Sequence, residues 1–344
     1  FTFKRNLQIP QDYNGSFNFY STGYNKFHNT NIRETVLIND FYFTSKDKIT
    51  KQGLVSNYNL LLKNTNVNSD NSSDLSSNDD YDLFQTLKVD LSMPLVKRMN
   101  KYTNYLKPVA SFRYSPNGNS DISSNNLILN YNNAFSLDRI SNNSQVEGGE
   151  ALAIGLEFQS QSNYLSDTFF EARIGNVIKT KNNIKLPSKS KLNKTRSDIF
   201  GDLKYNFNDN FILGYNFSYD RDLQYSNLDS LNLILRNSKL ETTFNYLTEN
   251  HDFGDSETLS NLTGFNFDKE NSISFRTSKN LRDDFTEYYS LFYEYKTDCL
   301  SINLDYSKSF YNDGNLEPTD KLSFLLKIIP FTELGVANLG VINN

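Results

Sequence analysis

Apolar and polar residues alternate one for one along most of the chain. From Asn210 to Tyr219, Phe211, Leu213, Tyr215, Phe217 and Tyr219 share one parity. Asn210, Gly214, Asn216 and Ser218 share the other, with Ile212 the exception. From Leu300 to Phe310, Leu300, Ile302, Leu304, Tyr306 and Phe310 alternate with Ser301, Asn303, Asp305, Ser307 and Ser309. Ile199, Leu203, Tyr205 and Phe207 repeat the pattern, as do Phe285, Tyr289, Leu291, Tyr293 and Tyr295. Successive side chains of a strand point to opposite faces, so each run predicts a strand with one apolar and one polar face. No window of comparable length follows the helical period.

The pattern predicts strands near 15–28, 31–45, 53–63, 81–93, 105–115, 125–137, 149–161, 167–179, 195–207, 210–221, 225–236, 238–249, 257–268, 271–281, 285–297, 299–311 and 320–331. That is about seventeen segments of roughly 10–14 residues, the length a tilted membrane-spanning strand needs. From residue 195 onward, tight links (Phe207 to Asn210, Arg236 to Leu240, Asp268 to Asn271, Thr297 to Cys299) alternate with looser ones (His251 to Ser256, Asn312 to Thr319). Outer-membrane barrels keep short turns on the periplasmic side and longer loops outside, which assigns the tight set to the periplasm. Earlier, the polar low-complexity segment 64–80 and the loop 115–124 fall on the opposite phase, which implies one miscounted strand in that region. Two further loops stand out: 138–149, with charges and two glycines, and the strongly basic 179–196.

Composition narrows the class. The chain has 344 residues and a formal net charge of −5, with 37% hydrophobic and 14% aromatic residues. It is polar for its length, yet Phe 27 and Tyr 22 are far too many aromatics for a disordered chain. No run approaches the ~18–20 apolar residues of a membrane helix. The charge balance argues against nucleic acid as a partner. One cysteine excludes a Cys-rich zinc site or a self-contained disulfide framework, and His28 and His251 offer little for a His-based active site. The chain starts at Phe1 without a charged-then-apolar signal region, as expected of a mature protein or an excised piece.

A water-soluble sandwich would alternate too. The long uniform strands, the unbroken run of hairpins and an Asn/Ser/Thr/Asp-rich second face poor in lysine favour a wet lumen. Tyr219, Tyr225, Phe310 and Tyr311, near strand ends, are candidates for an interfacial girdle without Trp. A closed barrel also removes the open edge that lipid cannot satisfy. The expected fold is all-β, an antiparallel transmembrane β-barrel of the outer membrane.

Residues 287–331 carry a family resemblance. Tyr293 and Tyr295 precede Asp298-Cys299-Leu300, followed by Tyr306, Phe310-Tyr311, Asp313, Leu316, Pro318, Leu322, Phe324 and Pro330-Phe331. This segment resembles the C-terminal barrel of the LptD family of lipopolysaccharide-assembly proteins, also called organic solvent tolerance proteins. LKPVASFRYSP (106–116) and FSLDRISNNSQVEGGEALAIGLEF (135–158) resemble two further stretches of that family. The resemblance implies lipopolysaccharide transport and insertion into the outer leaflet through a lateral opening between first and last strands. It implies an LptE-like lipoprotein plug, an LptA-like periplasmic bridge and no cofactor. It also implies that residues 1–344 are the C-terminal portion of a barrel of about 26 strands. The N-terminal periplasmic jelly roll and the first strands would lie outside the chain. Such a piece would carry one side of the gate, near 320–331, and would not close into a stable barrel alone.

Several residues become candidates, each with a plainer alternative. Cys299 sits at a periplasmic turn on the parity above. The resemblance, whose better-known members carry two adjacent cysteines here, implies at most one bridge to a cysteine outside these residues; the alternative is a free thiol. In the basic loop, Lys185, Lys189, Lys191 and Lys194 are candidates for lipopolysaccharide phosphates, or simply solvated. Leu326, Ile328 and Pro330 are the gate-strand candidates, since Pro330 would remove a ladder donor and weaken a seam; otherwise the strand ends at Ile329. Asp138, Arg139 and Glu147 read as a lumen or loop ion pair, Gly148-Gly149 as a turn. Asp79-Asp80 and Asp283-Asp284 lie in polar loops without metal-ligand spacing. No catalytic constellation emerges, so the protein is not read as an enzyme. The alternative function is a diffusion porin of about 16–18 strands. An outer-membrane lipase or protease would need a Ser/His/Asp motif that the two histidines do not form.

Overall fold

The computed structural model describes residues 1–7, 14–28, 31–72, 80–116, 122–123, 126–140, 145–165, 169–310, 318–328 and 332–335. The chain forms β1 (Thr2–Leu7), β2 (Gly15–His28), β3 (Ile32–Ser45), β4 (Lys48–Ile49), β5 (Val55–Asp70), β6 (Asp80–Ser92), β7 (Leu95–Arg98), β8 (Tyr102–Ser115), β9 (Gly149–Ser162) and β10 (Phe169–Lys179). It continues with β11 (Ile199–Asn208), β12 (Phe211–Tyr219), β13 (Ser226–Arg236), β14 (Leu240–Glu249), β15 (Ser256–Asn266), β16 (Asn271–Asn280), β17 (Phe285–Lys296), β18 (Leu300–Ser309), β19 (Thr319–Ile328) and β20 (Thr332–Gly335). One short helix, α1 (Tyr131–Ala134), lies between β8 and β9. No described helix is long and apolar enough to cross a membrane.

All strands join one antiparallel sheet in chain order. β4 continues β3 against β5, and β7 continues β6 against β8 beyond Pro94, which has no N–H for the ladder. The twenty segments therefore make eighteen crossings. Among the described residues no pairing joins β1 to β20, so the sheet is open along both outer strands.

Every predicted segment but one falls on a strand. The exception is 125–137, whose described residues form an irregular stretch and α1. Its alternating apolar residues bury against the sheet instead of joining it: Leu129, Tyr131 and Ala134 are each nearly inaccessible. Removing this segment puts 71–79 and 116–148 at the same end as the longer links after residue 195, although nearer the N-terminus 29–31 at that end is shorter than 46–54 at the other. The connections 71–79, 116–148, 180–198, 220–225, 250–255, 281–284 and 310–318 share one end of the sheet, here the loop end. The links 46–54, 99–101, 163–168, 209–210, 237–239, 267–270 and 297–299 share the other, the turn end.

A second correction concerns 64–80. Residues 64–70 are the upper half of β5, not loop, and Val67 pairs with Asp80. Thr65 and Ser69 point to the buried face, and the Asn64 amide donates to the Asp82 carbonyl at 3.4 Å. The segment is polar because one face meets other protein groups, and that polarity mimics a loop. β1 had no sequence prediction.

The two faces differ as the alternation requires. Leu60 and Leu62 on β5, Leu87 and Leu91 on β6, Phe112 on β8 and Leu152, Ile154 and Leu156 on β9 all stand exposed. A row of large apolar side chains facing outward is what a lipid-facing wall presents. The opposite face holds Lys63, Thr65, Thr86, Lys88, Ser111, Arg113 and Lys179, all buried. The core lies on this second face, where the β8–β9 connection folds back over the sheet.

Candidate functional site

Antiparallel partners share a face, so register sets rows of side chains across the wall. Asn59, Lys88, Arg113, Ala151 and Lys179 form one such row across β5, β6, β8, β9 and β10. Asp40, Lys63 and Phe84 form a second row on the same face, with Leu61 and Thr86 between the two. Below Lys179 the wall narrows to small residues: Ala153 pairs with Val177, and Gly155 with Gly175.

That shallow strip receives the loop. A Cβ on Gly155 would lie 2.7 Å from Phe135 Cζ and 3.1 Å from Tyr131 Cε2, so glycine here lets the loop reach the wall. Leu129, Ala134 and Ile140 from the loop pack with Ala151, Ala153, Val177, Leu186, Leu192 and Phe200. α1 is started by Asn130, whose side chain accepts from the backbone N–H groups of Asn132 and Asn133 at 3.0 Å, while Asn133 reaches back to the Asn130 N–H at 2.9 Å. The loop's carbonyls are bound by wall cations. Lys88 Nζ donates to the Phe135 carbonyl at 2.7 Å and Arg113 Nε to the Leu137 carbonyl at 2.9 Å. Tyr131 donates to Glu157 at 3.1 Å, and Arg173, bonded to Asp202 and to the Asn132 amide oxygen, lies over the Tyr131 ring.

At the centre sits Glu147, fully buried. Its carboxylate is 2.8 Å from Arg139 Nε, 2.8 Å from Lys179 Nζ and 3.9 Å from Arg113 Nη1. Burial alone pushes this carboxyl upward. Arg139, Lys179 and Arg113 outweigh burial and hold it at about 2. Beside it, Lys63 is paired with Asp40 at 3.3 Å and Asp138 at 3.6 Å. The expected ion pair among Asp138, Arg139 and Glu147 is thus present. Arg113, Lys179 and Lys63 escape a sequence reading because they come from strands far along the chain. Their one signal is a cation on the polar phase of a strand, as in Ala110-Ser111-Phe112-Arg113-Tyr114-Ser115.

The basic loop is tied to the same structure. The Ser190 hydroxyl accepts from the Leu129 N–H at 2.8 Å, and the Ile122 N–H donates to the Lys185 carbonyl at 2.9 Å. Lys191 is ion-paired with Asp220, lies 3.9 Å from Asp198 and donates to the Tyr225 hydroxyl at 3.3 Å. Asp198 is buried, which pushes its carboxyl above the ordinary range against the opposing pull of Asn227, whose amide donates to it at 2.7 Å. Of the four lysines named from sequence, Lys191 is therefore neutralised internally. Lys185 and Lys194 are exposed and Lys189 is half-buried, all at the loop end.

The remaining candidates lie elsewhere. Cys299 is exposed in the β17–β18 turn at the turn end, near Thr297 Oγ1 at 3.9 Å. Leu326 and Ile328 are on β19, one strand in from the last described strand, and Pro330 falls outside the described residues. Gly149, at φ +96°, opens β9. Lys279 pairs with Asp284 at 2.6 Å in a polar loop, and Asp79 lies outside the described residues. Among the described residues no group of three or more His, Cys, Asp or Glu is placed to hold a metal.

Comparison with known proteins follows this geometry. The siderophore receptor PirA from Acinetobacter baumannii matches with a TM-score of 0.50 at 7% identity, over 95% of this chain and 64% of that one. The chain thus spans under two thirds of that receptor. A mutant Rh. blastica porin matches with a TM-score of 0.34 at 11% identity, over 91% of this chain and 96% of the porin. At such identity the receptor speaks to fold alone, a membrane β-barrel wall. No curated relative matches the sequence. The sequence profile of LptD, "LPS transport system D", matches residues 6–284, most of the chain including the whole charged cluster and both loops over it. The chain belongs to the LPS transport system D family of outer-membrane β-barrel proteins.

Proposed function

We propose that the protein carries lipopolysaccharide into the outer leaflet of the outer membrane, through a barrel that opens sideways between its first and last strands. The carrying observation is the family match over residues 6–284. In this reading the chain is the C-terminal part of a larger barrel, preceded by a periplasmic jelly-roll domain that receives lipid from an LptA-like bridge.

Features of this chain's own geometry agree with the reading. A lateral exit requires an edge that is free to part, and among the described residues no pairing closes β1 onto β20. A lipid headgroup needs a polar path beside an apolar exterior, which the alternating faces provide. The half-exposed polar face of β14–β19, which no described loop covers, suits an LptE-like lipoprotein plug. The exposed Lys185 and Lys194 at the loop end suit phosphates of arriving lipid. Cys299 at the turn end suits a bridge to the preceding domain in an oxidising periplasm. A loop folded onto the polar wall with its carboxylates on basic residues is also what a porin would show, so the porin alternative is disfavoured by the family match alone.

The test is depletion of the full-length protein from its native cells, with lipopolysaccharide located by fractionation and surface labelling. Accumulation in the inner membrane with loss of surface label is expected. Unchanged surface lipopolysaccharide together with reduced uptake of small hydrophilic solutes would overturn the reading in favour of a porin.

A further inference from the structure

The two loops over the charged wall are joined to each other as well as to the sheet. The Leu129 N–H of the first donates to the Ser190 hydroxyl of the second at 2.8 Å, and the Ile122 N–H donates to the Lys185 carbonyl at 2.9 Å. Buried Lys179 holds both at once: its Nζ meets Glu147 at 2.8 Å and the Leu192 carbonyl at 2.9 Å. Leu129 and Ala134 share one apolar cluster with Leu186 and Leu192. Lifting either loop alone would open that cluster and take from the Leu129 N–H its acceptor. The second loop is fixed at a strained point. Ser190 and Lys191 stand at φ 56° and 53°, the only adjacent pair of non-glycine residues at positive φ among the described residues. The left-handed region is unfavourable for a residue with a Cβ, and such a conformation persists only where its surroundings enforce it. Here they do. Ser190 is fully buried, and its carbonyl accepts from the Asp198 N–H at 3.0 Å. Lys191 reaches off its own loop to the connection 220–225, where it is ion-paired with Asp220 and its Nζ lies 5.4 Å from the centre of the Tyr225 ring.

We propose that the described residues of the β8–β9 and β10–β11 connections form one cooperative lid over the polar wall, with Ser190-Lys191 as its strained catch and Asp220 as the group the catch engages. Release of Lys191 lets the strained pair relax, and relaxation withdraws the Ser190 hydroxyl from Leu129. The first loop then lifts with the second. Beneath them, Lys88 and Arg113 give up the Phe135 and Leu137 carbonyls, and the strip at Gly155 and Gly175 is uncovered. The strain held at the catch offsets part of the contact energy that opening must break, so the lid opens more readily than its contacts alone would allow. The inference rests on contacts within the chain and not on the transport reading.

Hydrogen exchange of the full-length protein in lipid nanodiscs tests the lid segment by segment. Lys191→Met should speed exchange of 126–137 and 185–194 together, by about fivefold or more. Asp220→Asn should act alike, and the double variant should add little, because both substitutions remove one interaction. Lys191→Asn also loses the ammonium but tolerates positive φ, so its lid should exchange more slowly than that of Lys191→Met. Segments of β14–β16 should keep their wild-type exchange in every variant, which reports that the wall is still folded. Wild type alone supplies a second reading. Where exchange outpaces reclosing, 126–137 and 185–194 should open at one shared rate, and two separate rates would overturn the lid without any variant. Faster exchange confined to 185–194 in Lys191→Met would overturn the coupling of the loops. Unchanged exchange in both segments, or a Lys191→Asn lid no slower than that of Lys191→Met, would overturn the strained catch.

Discussion

The wall built by β5–β11 and the wall built by β14–β19 share one alternating pattern and solve their polar face differently. In the first, two loops fold down onto the sheet, and Lys63, Arg113, Arg139, Glu147, Lys179 and Asp198 are all buried. In the second, no described loop covers the polar face, and short contacts run along it. Ser256 donates to Glu249 at 3.2 Å, Ser278 donates to Glu287 at 2.6 Å, and Ser301 donates to Asn303 at 3.4 Å. The contrast shows what licenses inward charge in such a wall. Where a loop brings complementary groups, the wall's charges are buried and paired; where the face stays wet, charges such as Arg276, Glu294 and Asp305 remain exposed or half-exposed among amides and hydroxyls.

The sharpest way to break that contrast is to remove a carboxylate from each wall. Glu147→Gln strands three buried cations and should cost about 3–5 kcal/mol. Glu287→Gln loses one half-exposed hydrogen bond from Ser278 and should cost about 0.5–1 kcal/mol. Urea unfolding of the full-length protein in lipid vesicles checks both, and similar losses would dissolve the distinction.

Acid titrates the same difference. Glu147 is held at about 2, against an ordinary 4.5, so its folded form binds protons less readily than its unfolded form. Its contribution is complete above the unfolded value and is lost as the pH falls from about 4.5 towards 2, on the order of 3 kcal/mol in all. Limited proteolysis within 122–148 should therefore rise over that interval in wild type. In Glu147→Gln it should be fast and nearly flat.

A smaller effect is expected at glycines. Gly155→Ala places a Cβ 2.7 Å from Phe135 and 2.9 Å from the Ile174 carbonyl, and should cost about 1–3 kcal/mol by lifting the loop. Gly264→Ala on β15 meets nothing within 4 Å and should change stability by less than about 0.5 kcal/mol. The same unfolding assay reads both.

The smallest test lies within the basic loop. Lys191→Met should loosen the contact with Asp220 and Asp198 and cost about 1 kcal/mol or more. The exposed Lys194→Gln should leave the unfolding midpoint unmoved.

The sheet was legible because its period is local: each strand announces its own two faces. The covering loop was not, because Leu127, Leu129 and Tyr131 carry the same alternation while burying against protein, and period alone cannot tell a ladder from a packed coil. Asn64–Asp70 failed in the opposite sense, being strand with the composition of loop. The charged site was half legible. Arg139 and Glu147 lie eight residues apart and invite pairing, whereas Arg113 and Lys179 reach Glu147 only through strand register, which a single sequence does not display.

Strand length carries a last consequence. β5 has 16 residues and β2, β3, β8 and β9 have 14, whereas β12 has 9 and β14 and β16 have 10. At about 3.3 Å per residue and a tilt near 40°, the long strands climb roughly 35–40 Å and the short ones roughly 23–26 Å, around an apolar band about 25 Å tall. The rim at the loop end is consequently stepped: a parapet stands over β2–β9, and the opposite side ends level with the bilayer. Sugar chains in the outer leaflet would meet a barrier on one flank and an open sill on the other.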